Sequence, residues 1–243
     1  KLASFDIFDT TLVRKCGSPD NIFYLLSKRI YPQNQSLQNS FFQWRKEAEQ
    51  KAMIRLKDNY LKLEDIYTEF DSVSFPKWNV EQLIAMETQL ELTELVAVSE
   101  IKQLIAQKRN EGYTFCFISD MYLPEHVLKS KLLEEGCADI DDKVFVSCEY
   151  QATKSEGTLY EIVRKDFNSI TLWEHYGDNL YSDYKKVIKR GIKATLVHSD
   201  YTPIEQFILS SSTFFPFYSD LSVLIGLQRA TRLSLQKKSD NID

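Results

Sequence analysis

From Tyr113 onward the chain keeps to one beat: a short apolar run, a turn, a segment of helical period, then another short run. YTFCFIS (113–119), KVFVS (143–147), ITLWEHYG (170–177) and KATLVH (193–198) are rich in Phe, Val, Ile, Thr and Tyr and read as buried strands. Between them lie PEHVLKSKLLEEG (124–136), with Pro in its first turn and Gly at its stop, SEGTLYEIVRKDF (155–167) and SDYKKVIKRG (182–191). Single strands alternating with single helices build a parallel sheet with helical crossovers. LASFDIF (2–8) adds one more strand at the front.

Residues 20–110 break the beat. NIFYLLSKRI, FFQWRKEAEQKAMIRL, LKLEDIYTEF, VEQLIAMETQLELTEL and SEIKQLIAQKRNEG all carry helical periodicity, and SPDN (18–21) supplies a helix start. The last of these helices returns to the core. The expected architecture is a doubly wound α/β parallel sheet of Rossmann type made by residues 1–17 and 96–205, with a helical cap inserted at 18–95. Residues 206–243 are expected to be a helical extension or linker. Within them FFPFYSDLSVLIGL (214–227) is apolar but holds Pro216 and Asp220, so it is expected to pack against the body or a neighbouring domain. SLQKKSDNID (234–243) reads as a polar, frayed tail.

Bulk properties narrow the function classes. Hydrophobic content of 43% and charged content of 27% over 243 residues are those of a globular protein. The formal charge of −5 argues against a nucleic-acid partner, and the local KKVIKR (185–190) reads as a solvated helix face. No apolar run reaches the roughly 18–20 residues of a membrane span. No signal peptide is visible, and the start without Met, almost at once in a strand, reads as an excised piece of a longer protein. Cys16, Cys116, Cys137 and Cys148 have no C-x-x-C pairing and are expected as free thiols in a reducing, cytoplasmic setting. His126, His175 and His198 lack metal-ligand spacing and are given structural or surface roles.

In an open parallel sheet, ligands bind beyond the carboxyl ends of the strands. The polar residues placed there are Asp6 and Thr10, then Ser119 and Asp120, Lys154 ahead of a helix, and Asp178 and Asn179 with Asp183 a turn later. Carboxylates brought to one edge repel unless a cation lies between them. An all-oxygen donor set favours Mg²⁺, completed by waters and a phosphate.

This set resembles the haloacid dehalogenase-like superfamily: D-x-x-x-T as Asp6 to Thr10, a strand ending in Ser119, Lys154, and an acidic motif running from Gly177-Asp178 to Asp183. FDIFDTTLVR, RKEAEQKAMIR (45–55), LEDIYTEF, SDMYLP and GDNLYSD resemble a bacterial subgroup of hydrolases often fused to glycosyltransferases of surface-polysaccharide synthesis; the likeness spans about residues 1–200. It implies a small phosphorylated substrate, a sugar phosphate or glycan intermediate, and a covalently fused glycosyltransferase as partner. It also implies roles. Asp6 is the nucleophile, forming an aspartyl-phosphate. Asp6, the Phe8 carbonyl and Asp178 hold Mg²⁺, with Asp183 supporting the metal or Lys154. Ser119 and Lys154 bind phosphoryl oxygens, and Thr10 braces the first loop. Asp120 and Asn179 are substrate contacts, as is Arg14 unless it is only a salt-bridge partner at the hinge. Arg45, Glu49 and Arg55 share a helical face, as a charge network in the cap or as its wall over the site. Phe41, Trp44 and Met53 are expected in the cap core.

One residue departs from the pattern. Phosphatases of this superfamily usually have a second aspartate two residues after the nucleophile, to protonate the leaving oxygen and activate water. Here that position is Phe8. Either the leaving group needs no acid, or Asp9, Asp120 or a cap residue supplies the proton, or the site binds with little turnover. The 2-haloacid dehalogenases also carry an aromatic there, but they lack an acid where Asp178 stands.

Overall fold

The structure is a computed structural model that describes residues 1–57, 60–198, 201–212 and 218–235. Strand β1 (Leu2–Asp6) is buried at all five positions. A tight loop leads to β2 (Leu12–Arg14), and four helices follow: α1 (Pro19–Ile30), α2 (Gln35–Leu56), α3 (Leu63–Tyr67) and α4 (Val80–Glu94). The chain returns through β3 (Leu95–Ala97), antiparallel to β2 with Leu12 opposite Ala97 and Arg14 opposite Leu95. The helical block therefore leaves and rejoins the body through one two-stranded ribbon. Bonds from Val98 N to Thr11 O (2.9 Å) and Lys15 N to Glu94 O (2.7 Å) reinforce it.

The remaining elements alternate: α5 (Ser99–Asn110), β4 (Thr114–Ser119), α6 (Glu125–Glu134), β5 (Lys143–Val146), α7 (Ser147–Tyr150), α8 (Thr158–Asp166), β6 (Trp173–Gly177), a π-helical turn (Leu180–Lys185), α9 (Lys186–Ile188) and β7 (Lys193–Leu196). They end in α10 (Pro203–Ser212) and α11 (Tyr218–Ser234). The five long strands form a parallel sheet in the order β5-β4-β1-β6-β7, which is the α/β class read from the sequence. Side chains alternate between its faces. Ala3, Phe5, Phe115 and Phe117 pack with Ile101, Ile105, Leu128 and Leu132 of α5 and α6. Leu2, Cys116, Ile118 and Trp173 pack with Leu159, Tyr160 and Val163 of α8. The sheet is thus helix-covered on both sides, and the Phe5 ring stacks on Tyr176 at 4.8 Å. Register sets Asp6 against Ile118 and Phe5 against Tyr176, so Asp6, Ser119 and Gly177 reach the same sheet edge.

In the helical block α2 and α4 start where side chains cap them, whereas α1 starts at Ser18 without a side-chain cap bond. Asn34 accepts from Leu37 N at 3.0 Å, and Asn79 exchanges bonds with Gln82 in a capping box. Of the shared-face residues, Arg45 is fully buried and pairs with Glu87 through Nε (2.8 Å) and Nη2 (2.7 Å), its guanidinium 4.1 Å from the Phe23 ring centre. Tyr67 (2.7 Å) and Tyr122 (3.3 Å) donate to the same carboxylate. Arg55 turns outward to Glu69 at 2.6 Å, whereas Glu49 lines a cleft. Phe41 and Trp44 join Phe70 and Phe75 in an aromatic cluster, and Met53 is half-buried against the same core while also lining the cleft wall.

The structure corrects two local readings. Pro124 is the N-cap of α6 rather than part of its first turn. Residues 180–185 form a π-helical turn where a plain helix is expected. At the C-terminus, Tyr218–Leu227 belongs to α11, which contacts α1, β2, β3 and α5; residues 214–217 and 236–243 lie outside the described residues. All four cysteines are free and buried. Among the described residues no helix is long and apolar enough to cross a membrane.

Candidate functional site

Asp6 ends β1 and is 4% exposed. The chain then turns sharply: Thr11 Oγ1 donates to the Asp6 carbonyl at 2.6 Å, and Asp9 takes a left-handed backbone with φ of 56°. Thr10 Oγ1 lies 3.0 Å from Asp6 Oδ2 and 3.3 Å from Asp178 Oδ1, so one hydroxyl spans both carboxylates. Asp6 Oδ1 accepts from the Lys154 ammonium, which also donates to Asp183 Oδ1 at 2.8 Å. The lysine reaches this point because Asp120, just after β4, accepts its backbone N–H at 2.9 and 3.2 Å.

The π-helical turn aims Asp183. Asn179 caps it by accepting from Tyr181 N (2.9 Å) and Ser182 N (3.0 Å). Asp183 Oδ2 accepts from Asn179 N at 3.2 Å, folding the carboxylate back toward β6. A side chain at Gly177 would collide with the Asp183 side chain, so only glycine fits there. The result is a cluster in which Asp6, Asp178 and Asp183 each offer a ligand oxygen, all within 4.8 Å of one another. An all-carboxylate set of that size suits a hard divalent cation of the Mg²⁺ kind.

The electrostatics follow from burial and this crowding. Burial, with Asp183 and Asp178 nearby, raises Asp6 well above the usual carboxylate range against the pull of Lys154. Burial works against charge on Lys154 too, yet Asp183 and Asp6 prevail and keep the ammonium protonated. Asp183 is also buried, but Lys154 and His175 hold it below the usual range. Asp178 is raised by burial and by Asp9. A cation among these acids would relieve the repulsion that burial imposes.

Ser119 is buried and lines the same recess, and its hydroxyl makes no hydrogen bond among the described residues. Asp120 and Asn179 also line it, with their oxygens engaged in holding the Lys154 turn and the π-helical turn. Arg14 is 5% exposed and donates through Nε to Glu91 at 2.7 Å, while its guanidinium lies 4.4 Å from the Phe8 ring centre. That is the hinge salt bridge; Arg14 nevertheless lines a cleft of about 680 Å³ whose walls mix core and helical-block residues. Phe8, Asp9, Asp120 and Ser155 come from the core, and Asp20, Phe23, Glu49 and Met53 from α1 and α2. Asp9 does not join the cluster, since its Oδ1 accepts from Arg229 Nη2 at 2.7 Å.

Sequence reasoning missed three groups. His175 and Tyr160 contact Asp183 at 3.4 and 3.1 Å. The Trp173-x-His175-x-Gly177 alternation puts His175 on the site's face of β6, a signal that was there to read; nothing in the sequence points to Tyr160. Arg229 lies in a stretch without recognisable motifs.

No protein-family model matches the sequence, and no curated protein matches it either. Solved structures do. The chain is similar to the L-2-haloacid dehalogenase of Xanthobacter autotrophicus at 14% identity, covering 92% of this chain and 87% of that one, TM-score 0.59. A HAD-family enzyme of Bacteroides thetaiotaomicron matches at 13% identity over 85% and 98%, TM-score 0.54. The putative HAD-hydrolase YfnB of Bacillus subtilis, bound to magnesium, matches at 14% over 84% and 89%, TM-score 0.52. An Asp-to-Ala variant of the Bacteroides enzyme, in complex with magnesium and inorganic phosphate, matches at 12% over 85% and 98%, TM-score 0.50. The chain has the fold of the HAD-type hydrolases.

Proposed function

We propose that the chain is a Mg²⁺-dependent phosphohydrolase acting through an aspartyl-phosphate on a small phosphorylated metabolite, with a sugar phosphate or glycan intermediate as first choice. The observation that carries this reading is the convergence of Asp6, Asp178 and Asp183 within 4.8 Å beside the Lys154 ammonium. In it, the helical block 18–95 is a cap over the core and the cleft receives the leaving group. Mg²⁺, held by Asp6, Asp178, the Phe8 carbonyl and Asp183 at close range or through water, would neutralise charge between nucleophile and phosphoryl group.

Each residue then has a stated task. An Asp6 oxygen attacks phosphorus while the bond to the leaving oxygen breaks, and water later cleaves the acyl-phosphate. Lys154 and the unengaged Ser119 hydroxyl bind phosphoryl oxygens. Thr10 fixes Asp6 Oδ2. Asp120 and Asn179 hold the two turns and border the substrate, and Arg14 faces it from the hinge. Phe8 supplies no proton, so a leaving group already stable as an anion is favoured. Dehalogenation is disfavoured by Asp178, whose place beside Asp6 has no use in a metal-free displacement.

A second reading, a weakly catalytic or non-catalytic domain positioning a fused glycosyltransferase, draws on Phe8, whose ring packs against Arg14. The test is Mg²⁺-dependent phosphate release from a panel of sugar phosphates, with Asp6→Asn as control. Release that Asp6→Asn abolishes is the expected result. Absence of turnover on every substrate, with Mg²⁺ still bound, would overturn it in favour of the positioning domain.

A further inference from the structure

Behind the carboxylates, on the α8 face of the sheet, runs a chain of buried polar groups whose direction is set by their chemistry. Trp173 Nε1 can only donate, and its partner is Ser4 Oγ at 2.7 Å. The same Ser4 Oγ lies 2.8 Å from His175 Nδ1 and contacts no other acceptor among the described residues. Having accepted from the indole, the hydroxyl directs its own proton to Nδ1. An imidazole whose Nδ1 accepts carries its hydrogen on Nε2. That nitrogen faces Tyr160 Oη at 3.2 Å and Asp183 Oδ1 at 3.4 Å. The opposite tautomer would set a lone pair against a carboxylate. Tyr160 Oη in turn lies 3.1 Å from both Asp183 Oδ1 and Ser182 O, which only accept, so its proton points to them.

We propose that Trp173, Ser4, His175 and Tyr160 form a one-way donor relay that fixes the orientation of Asp183 and, through it, of the Lys154 ammonium. The links run toward Asp183 Oδ1, with the Tyr160 hydroxyl shared between it and Ser182 O, and Asp183 Oδ1 then presents itself to Lys154 at 2.8 Å. Ser4, His175 and Tyr160 are fully buried, so no substrate touches them. They are positioning residues, and their importance for phosphoryl binding rests on the phosphohydrolase reading; the direction of the relay does not. Packing alone gives no reason for the arrangement, because apolar side chains of similar shape would fill the same space without needing partners. Instead the chain ends on the one acid that shares the lysine with Asp6.

The tautomer decides the direction. A long-range ¹H–¹⁵N spectrum of the labelled chain contains only His126, His175 and His198, and His175→Gln identifies the resonance of interest. The expected result is a protonated Nε2 and a hydrogen-bonded, unprotonated Nδ1, with Ser4→Ala shifting the Nδ1 signal and Asp183→Asn shifting the Nε2 proton. A proton on Nδ1 overturns the relay. For its effect on the reaction, His175→Leu is expected to lower turnover of a small phosphate ester about 10-fold, the usual scale for groups that orient a site from behind. His175→Gln, whose amide nitrogen reaches the place of Nε2, is expected to keep most of the rate. Wild-type turnover in a folded His175→Leu overturns the positioning role. If the wild type releases no phosphate, the phosphohydrolase reading falls, and the relay is judged by the tautomer and by its response to Asp183→Asn.

Discussion

Gly177 and Phe8 show how much rests on single positions. Gly177 leaves room for the Asp183 side chain to fold back against β6. Gly177→Ala is therefore expected to push Asp183 away from Lys154 and weaken Mg²⁺ binding in calorimetric titration, by more than the small loss of chain flexibility would explain. Phe8 gives the opposite expectation. If the missing acid limits the reaction, Phe8→Asp should raise hydrolysis of a generic phosphate ester about 100-fold, the lower end of the range for general acids. The same change removes the ring that backs the Arg14 guanidinium, so a lower melting temperature should accompany the gain. No gain would mean that another group already delivers the proton. The convergence of Asp6, Lys154, Asp178 and Asp183 at one sheet edge was legible because each lies at or after the end of a strand, and the register fixes those ends. Tyr160 was not, because its aim depends on how α8 lies on the sheet, and a helix's rotation is set by packing that no spacing rule records.

At the scale of elements, α11 was the least legible part of the chain and is among the most connected. It reaches α1 through Lys28–Asp220 (2.8 Å) and Asn21–Ser222 (2.8 Å), and the loop after β1 through Arg229–Asp9 (2.7 Å). It reaches the start of α5 through Ser99–Ser234 (2.6 Å). Gly226 lets its backbone rest on Cys16 and Gly17, where an added side chain would strike main-chain atoms. Gly226→Ala is expected to cost about 1–3 kcal/mol in chemical denaturation, as overpacking does. Inside the helical block, Arg45 and Glu87 are both at most 1% exposed. Arg45→Met strands a buried carboxylate and is expected to cost about 3–5 kcal/mol, far beyond what the lost contact area would predict. Periodicity identified these helices correctly but could not sort Arg45 from Arg55, because both lie on α2 and only the surroundings tell the inner from the outer.

Over the whole molecule, stability should respond to both cation and acid. If Mg²⁺ binds the acid cluster in the folded chain alone, saturation at 100 times its dissociation constant stabilises by about 2.7 kcal/mol, and Asp178→Asn should erase the rise in melting temperature. Acid has its own handle in Glu174. Burial alone would raise its pKa, yet Lys108, Lys193 and Tyr176 hold it at about 2. A folded value below the unfolded one, about 4.3, means a contribution complete above that pH and lost as pH falls toward 2. Glu174→Gln should therefore flatten the loss of stability over that window in acid titrations followed by circular dichroism. The parallel sheet was readable from the beat of strands and helices, whereas the β2–β3 ribbon was not: strands this short carry no periodicity of their own. The sheet's middle position has a further consequence. β1 pairs with residues 114–118 on one side and 173–176 on the other. On the ribosome the segment bearing Asp6 is thus expected to wait while the helical block coils up, to gain one neighbour from residues 114–118, and to be flanked on both sides only after residue 176 has cleared the exit tunnel. Until then Asp6 and the 178–183 stretch that carries the other two carboxylates belong to separate, unassembled parts of a growing polypeptide.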